Sequence, residues 1–281
     1  MVHSPAAAAA AAPPDLSPEL QAELIATAHA LADVARVETL KYFRAPGLDA
    51  DNKSSSHFDP VTVADRACEK AMRDLLAERR PMDAVLGEEQ DATPGTSGLT
   101  WVLDPIDGTR GFLTGTPVWG VLIGLRDAER VLYGIIDQPH IGERFEGGFG
   151  RACVSGPHGQ RTLATGPRRT LAEARMFSTF PEVGTPAEAA AFRRLVGQVR
   201  LTRYGLDCYG YALVAAGQAD IVVEAGLNSY DVLAPIAVIE AAGGIVSDWK
   251  GAPVLDGGQV LAAANADLHR AALEVLGEAG G

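Results

Sequence analysis

The stretch from Trp101 to Gly115, WVLDPIDGTRGFLTG, constrains this chain more than any other. Trp101-Val102-Leu103 is a short apolar run of the kind that forms a buried strand. It stops abruptly at Asp104-Pro105-Ile106-Asp107-Gly108-Thr109. Two carboxylates at the tip of a buried strand are costly unless a counter-charge or a metal neutralises them. The Asp107-Gly108 step lets the backbone turn tightly and presents the following N–H groups at a helix start, a geometry suited to phosphate. Together these features point to a metal–phosphate site.

The rest of the sequence narrows what such a site serves. With 281 residues, 47% of them apolar, the chain can bury one large core or two modest ones. A net charge of −12 argues against a nucleic-acid binder, because no basic stripe is available to displace counterions. An acidic protein still takes a phosphate ester where a divalent cation or a local arginine reverses the field. Cys68, Cys153 and Cys208 lie far apart without a Cys-x-x-Cys pair. They read as small buried hydrophobes in a reducing cytoplasm, not as a disulfide framework or a zinc site. No apolar run reaches the ~18 residues needed to span a bilayer. Residues 1–17 are expected to form a disordered Ala/Pro-rich tail, since no basic segment precedes the alanines as in a signal peptide.

Ser17-Pro18-Glu19 opens a helix that runs at helical spacing to Arg44, followed by a polar loop over 47–60 with Lys53 and three serines. Asp59-Pro60-Val61-Thr62 starts a second helix ending at Arg80. Asp65 falls in its first turn, where an acid either compensates the helix dipole or serves a site. Ala84-Val85-Leu86 is a strand closing on Gly87-Glu88-Glu89. Pro117–Arg126 and Arg130–Asp137 form a hairpin, continued by Glu143–Phe149 and Ala152–Ser155. Beyond residue 160 strands and helices alternate. Strands are expected over 175–179, 220–224, 245–248 and 260–264, and helices over 186–198, 208–216 and 267–276. A further helix runs from Tyr230-Asp231 to Ala242 and is stopped by Gly243-Gly244. Pro235 is assigned to the first turn of that helix, where it is tolerated. The pattern predicts an N-terminal α+β subdomain over 18–160 carrying metal-binding loops. A C-terminal α/β subdomain over 161–281 completes the metal and substrate site.

Glu88, Asp104, Asp107 and Asp231 each sit at a junction between an element and a loop, where function is usually mounted. An all-oxygen set suits Mg²⁺ or Mn²⁺ better than Zn²⁺. Haloacid-dehalogenase-type phosphatases use Asp-x-Asp-x-Thr with a nucleophilic first Asp. Here two residues separate Asp104 from Asp107, and in an extended strand that spacing sends the second side chain to the opposite face. The spacing disfavours that class.

Gly87-Glu88-Glu89, the W-V-L-D-P-I-D-G-T block of Trp101–Thr109, and Tyr230-Asp231 followed by Glu240-Ala241-Ala242-Gly243-Gly244 resemble the inositol monophosphatase family in content and order. The similarity runs from about residue 20 to residue 270. It implies a layered αβαβα sugar-phosphatase fold, combining α+β and α/β parts, in a cytoplasmic enzyme that is often a homodimer. It also implies Mg²⁺-dependent hydrolysis of a small phosphate monoester, by metal-activated water and with no phosphoenzyme. Two or three ions are implied, with Mn²⁺ as an alternative, and neither nucleic acid nor membrane is a partner. Carried over residue by residue, Glu88, Asp104 and the Ile106 carbonyl would bind one metal. Asp104, Asp107 and Asp231 would bind a second. Asp65 and Thr109 match the pair that orients the attacking water, and the Gly108 and Thr109 amides match the phosphate cradle. Tyr230 departs from the family, many of whose members have Trp there.

The segment Leu201–Tyr211, LTRYGLDCYGY, is similar to the histidinol-phosphate phosphatase branch of that family. So are Thr109-Arg110-Gly111-Phe112, Ile135–Pro139 and Val223–Leu227. In this reading Asp207 and Glu224 meet the amine and imidazole of histidinol phosphate, while Arg110 and Arg203 lie on the substrate side, Arg203 toward phosphate. An ordinary surface ion pair between Arg203 and Asp207 is the plain alternative, and Tyr209 and Tyr211 fit a core equally well. Competing functions are an inositol-1-monophosphatase or broad sugar-phosphate phosphatase and, in another class, a non-catalytic metal-binding regulator.

Overall fold

Ser17 caps helix α1 (Pro18–Tyr42), its hydroxyl accepting the Leu20 N–H at 3.3 Å, with Pro18 in the first turn where a missing N–H costs nothing. The computed structural model describes residues 16–52, 60–167 and 169–277. The alanine-rich tail up to residue 15, Lys53 with its serines, and Asp59 lie outside the described residues. A short ribbon of β1 (Asp51–Asn52) and β2 (Pro60–Val61) leads into α2 (Val63–Arg79). Thr62 and Asp65 form a capping box there, so the helix begins after Thr62.

Seven strands follow in spatial order β3-β4-β5-β6-β7-β8-β9. They are β3 (Ala84–Gly87), β4 (Thr100–Asp107), β5 (Gly120–Arg126), β6 (Val131–Gln138), β7 (Glu143–Gly148), β8 (Arg151–Gly156) and β9 (Gly159–Thr162). Only β3 and β4 run parallel; the remaining pairs are antiparallel. The six-residue α3 (Thr109–Thr114) interrupts the run between β4 and β5. Two sequence expectations change here. The strand expected to stop at Leu103 runs on to Asp107, and the unexpected β9 carries the sheet past residue 160.

Alternation along the strands builds two cores. Trp101, Leu103, Val121 and Ile123 face α1 and α2, against Leu24, Leu31, Met72 and Leu76. Val102, Leu122, Ile136 and Phe145 belong to the core shared with the second half. That half contains β10 (Arg175–Ser178), α4 (Pro186–Val196), β11 (Leu201–Tyr204), α5 (Asp207–Ala215), β12 (Ile221–Asn228), α6 (Ser229–Ala241), β13 (Ile245–Ser247), β14 (Gly257–Ala263) and α7 (Ala266–Gly277). Its sheet is ordered β11-β10-β12-β14-β13, and α4 and α7 pack together through Phe192, Leu195, Leu268 and Val275. With α5 and α6 between the sheets, the layers read αβαβα, as the family resemblance implies.

Helix α6 is buried from Val232 through Ile239, apolar on every side, which a helix between two sheets requires. Glycines on the first sheet let it lie close. A Cβ on Gly134 would meet Ala234 Cα at 2.8 Å, and one on Gly147 would meet the Ala237 carbonyl at 2.3 Å. Pro235 lies beyond the first turn of α6, because the helix opens at Ser229. It therefore leaves the Asp231 carbonyl without its usual partner four residues on.

Candidate active site

The β4 strand carries a register shift between Asp104, opposite Leu122, and Asp107, opposite Gly120. Three steps on β4 thus answer two on β5, one extra residue, and such a bulge cancels the alternation that the spacing implied. The expectation that Asp107 points to the opposite face is corrected on that ground. Oxygens of Asp104, Asp107 and Asp231 all lie within 4.8 Å of one another. Strand β12 is bulged in the same way between Glu224 and Leu227, so both strands that carry site acids bend at the site.

Two helix N-termini supply further acids by one device. Asp65 on α2 and Asp231 on α6 each occupy the third helical position in a capping box. Asp65 Oδ2 accepts the Thr62 N–H at 2.8 Å and the Thr62 hydroxyl at 2.6 Å; Asp231 Oδ2 accepts the Asn228 N–H at 2.6 Å. One oxygen of each is thereby fixed. Asp65 Oδ1 is buried and has no hydrogen-bond partner among the described residues. The capping bonds of Asp65 thus account for Oδ2, as a helix-start acid requires, and leave Oδ1 out of the cap.

The charges are crowded. Burial pushes Asp104 well above the usual carboxylate range, and repulsion from Glu88, Asp107, Asp231 and Asp65 adds to it. Burial, then Asp207 and Asp231, raises Asp107 against the pull of its bond to Cys208. Asp231 is pushed up to about 7, chiefly by burial, and Asp65 to about 6, again by burial first. Glu88, just past β3, acts on Asp104 and Asp231 but lies outside the tight three-carboxylate group. The Ile106 carbonyl accepts the Thr109 hydroxyl at 3.1 Å, so Thr109 is turned toward that carbonyl. The donor chemistry fits a hard divalent cation: the carboxylate oxygens of Asp104, Asp107 and Asp231 converge within 4.8 Å of one another.

Beside the three acids opens a cavity of about 260 Å³, lined by Asp107, Thr179, Phe180, Asp207, Tyr211 and Glu224 among others, including Glu182. Glu224 is buried and accepts the Thr179 N–H at 2.8 Å and the Thr179 hydroxyl on Oε1, and the Tyr211 hydroxyl at 2.8 Å on Oε2. Burial raises its pKa. Asp207 opens α5 with a left-handed φ of 46°. Burial and then Glu224 push it up to about 7, against Arg110 and the Thr179 hydroxyl. Arg110 lies 4.7 Å over the Phe180 ring. Gly108, at φ 85°, meets Asp207 so closely that a Cβ would lie 3.0 Å from its carboxylate.

Arg203 is exposed on the edge strand β11 and does not line this cavity; the arginine acting on Asp207 is Arg110. The Arg203–Asp207 ion pair offered by the sequence is absent from the described contacts. Tyr211 is buried at the cavity wall, whereas Tyr209 donates to Glu143 at 2.9 Å. Sequence reasoning missed Thr179, Phe180 and Glu182, whose only signal was their place after a strand end. It also missed Thr62, although its spacing to Asp65 is that of a capping box.

Residues 20–279 match the profile of the inositol monophosphatase family. The chain is 37% identical over 276 residues to the chloroplastic bifunctional phosphatase IMPL2 of Arabidopsis thaliana, covering 94% of this chain and 78% of that protein. It is 32% identical to the histidinol-phosphatase of Chlorobaculum parvum, over 93% of this chain and 98% of the relative. Among solved structures it resembles an inositol monophosphatase from Zymomonas mobilis, with a TM-score of 0.80 and 37% identity over 91% of this chain and 98% of the other.

Proposed function

This chain belongs to the inositol monophosphatase family of phosphatases, and we propose that its substrate is L-histidinol phosphate, hydrolysed to histidinol and phosphate in histidine biosynthesis. The observation that carries the reading is the charge of the cavity. Asp207, Glu224 and Glu182 stand beside the acids of the metal cluster, and among the described residues no lysine, arginine or histidine lines the space. Such a wall favours a leaving group that brings its own cation, as the amine and imidazole of histidinol do. The name of the Chlorobaculum parvum relative supports the same choice.

Asp104, Asp107 and Asp231, with Glu88 and the Ile106 carbonyl, would hold Mg²⁺. Bound there, such ions polarise the phosphoryl oxygens and make water a stronger nucleophile. The chain's own groups do the rest. Asp65 Oδ1, buried and without a hydrogen-bond partner among the described residues, accepts the proton of the attacking water, and a pKa near 6 suits that task. Thr109 and the Gly108 and Thr109 amides face the phosphoryl group. Asp207 and Glu224 hold the cationic end, so that the ester bond lies between the two sets of carboxylates.

Inositol 1-phosphate is the competing substrate, favoured by the 37% identity to the Zymomonas mobilis enzyme. The deciding experiment is phosphate release from the two esters side by side, with and without Mg²⁺. Clear preference for histidinol phosphate is expected. Equal efficiency would overturn the substrate choice, and no release from either ester would overturn the hydrolase reading.

A further inference from the structure

Glu69 has no solvent exposure and lies one helical turn beyond Asp65 on α2. A buried carboxylate has to be matched by donors, and here they converge from one turn of chain and one arginine. Oε2 accepts the Glu89 N–H at 2.7 Å, while Oε1 accepts the Gln90 N–H at 3.1 Å and Arg73 Nε–H at 2.7 Å. Arg73 extends the clasp, donating to the Gln90 carbonyl and to Thr93 Oγ1, both at 3.1 Å. Val85 and Thr93 close the base of the turn by exchanging backbone hydrogen bonds at 2.9 and 2.8 Å. The carboxylate therefore fills the inside of the turn. At Gly87 there is no room for a side chain: a Cβ would lie 2.2 Å from Glu69 Oε1.

These contacts bracket Glu88. The residue before it abuts the Glu69 carboxylate, and the two residues after it are bonded to the same group. The backbone direction at Glu88 is set from both sides, and its side chain acts on Asp104 and Asp231. We propose that Glu69 is a positioning residue that, through the Glu89 and Gln90 amides, aims the Glu88 carboxylate at the divalent-cation site. Helix α2 then orders two parts of the site, with Asp65 facing the water and Glu69 gripping the ligand turn. The proposal rests on Glu88 being a ligand, so its test includes Glu88.

The experiment is calorimetric titration of Mn²⁺ into the metal-free full-length protein, without substrate, beside the thermal midpoint of each metal-free form. Glu69→Gln keeps the shape but leaves one acceptor oxygen where two are used. Groups that orient a metal ligand typically govern metal affinity by roughly 10- to 100-fold, and a loss of that size is expected with little change in the thermal midpoint. Glu69→Asp, which keeps the charge but is one methylene short of both amides, takes its place if the glutamine form does not fold, with the same expectation. Wild-type Mn²⁺ affinity with a lowered midpoint would mean that Glu69 only supports the fold, and overturns the proposal. Glu88→Ala locates the failure. Weakened binding in that variant leaves the ligand assignment standing and rejects the clasp alone, whereas unchanged binding rejects both.

Discussion

Asp107 Oδ2 accepts the backbone N–H of Cys208 at 2.5 Å, joining the end of β4 to the start of α5. The carboxylate on which the first sheet ends is thus fastened by the second half of the chain, and the acid cluster is complete only when the two halves dock. Docking brings Asp104, Asp107 and Asp231 together, and a bound divalent cation would relieve the repulsion among them. Asp104→Asn keeps the oxygen that accepts the Ile106 N–H at 3.0 Å and removes the charge. Mg²⁺-dependent phosphate release is expected to fall at least roughly 100-fold in this variant and in Asp231→Asn, with the metal-free thermal midpoint unchanged or higher. Wild type should gain thermal stability on adding Mg²⁺, and neither variant should. Turnover like that of wild type in either one would reject the assignment.

As the proposed acceptor of the water's proton, Asp65 would give the enzyme an acid limit. Burial raises its pKa from 3.8 to about 6, above the value it has in the unfolded chain. Its contribution to stability is therefore full below pH ~4 and is lost as the pH rises to about 6, because the unfolded chain ionises first. Activity runs the other way, since only the carboxylate accepts a proton. At saturating Mg²⁺, whose charge favours the carboxylate, kcat/KM should fall on the acid side at a pH of about 6 or below. Asp65→Asn should lack that limb and lose roughly 100- to 10,000-fold in rate. A pH–rate profile of both forms checks the assignment.

Much of this was legible in the sequence, and the parts that were not share a physical cause. Asp65 and Asp231 could be placed because helix starts leave a local signal, at Asp59-Pro60-Val61-Thr62 for one and at Tyr230-Asp231 for the other. The side on which Asp107 emerges could not, because it depends on how β4 pairs with β5, and a bulge is a property of the pair. The same holds at Glu224 and Leu227 on β12. Phe180 and Glu182 reach the cavity only through the docking of β10 beside β12, and no local pattern marks them. Arg203 failed for the converse reason: its sequence neighbourhood suggested a substrate, and the edge position of β11 leaves it exposed.

The seat of α6 on the first sheet makes a stability prediction independent of the chemistry. Gly147→Ala would bring a Cβ to 2.3 Å from the Ala237 carbonyl, a backbone atom of a helix held between two sheets. Neither side can yield cheaply. The cost of such overpacking is about 1–3 kcal/mol or more, expected as a lowered denaturant midpoint with little change in slope. A midpoint equal to that of wild type would mean that α6 can lift away from the sheet.

Asp207 offers the sharpest test of substrate charge. Its φ of 46° lies in the left-handed region, which asparagine tolerates as aspartate does. Asp207→Asn therefore removes a charge from the cavity wall while keeping the backbone and the fit beside Gly108. A hydrogen bond to a charged group contributes about 1.5–3 kcal/mol, which corresponds to roughly a 10- to 150-fold loss in kcat/KM for an ester whose leaving group is cationic. A neutral polyol phosphate loses no such partner, and relief of the repulsion from Glu224 should leave its hydrolysis unchanged or faster. The measurement is kcat/KM for histidinol phosphate and inositol 1-phosphate in both proteins. Equal losses on the two esters would show that Asp207 shapes the site without reading the charge of the substrate.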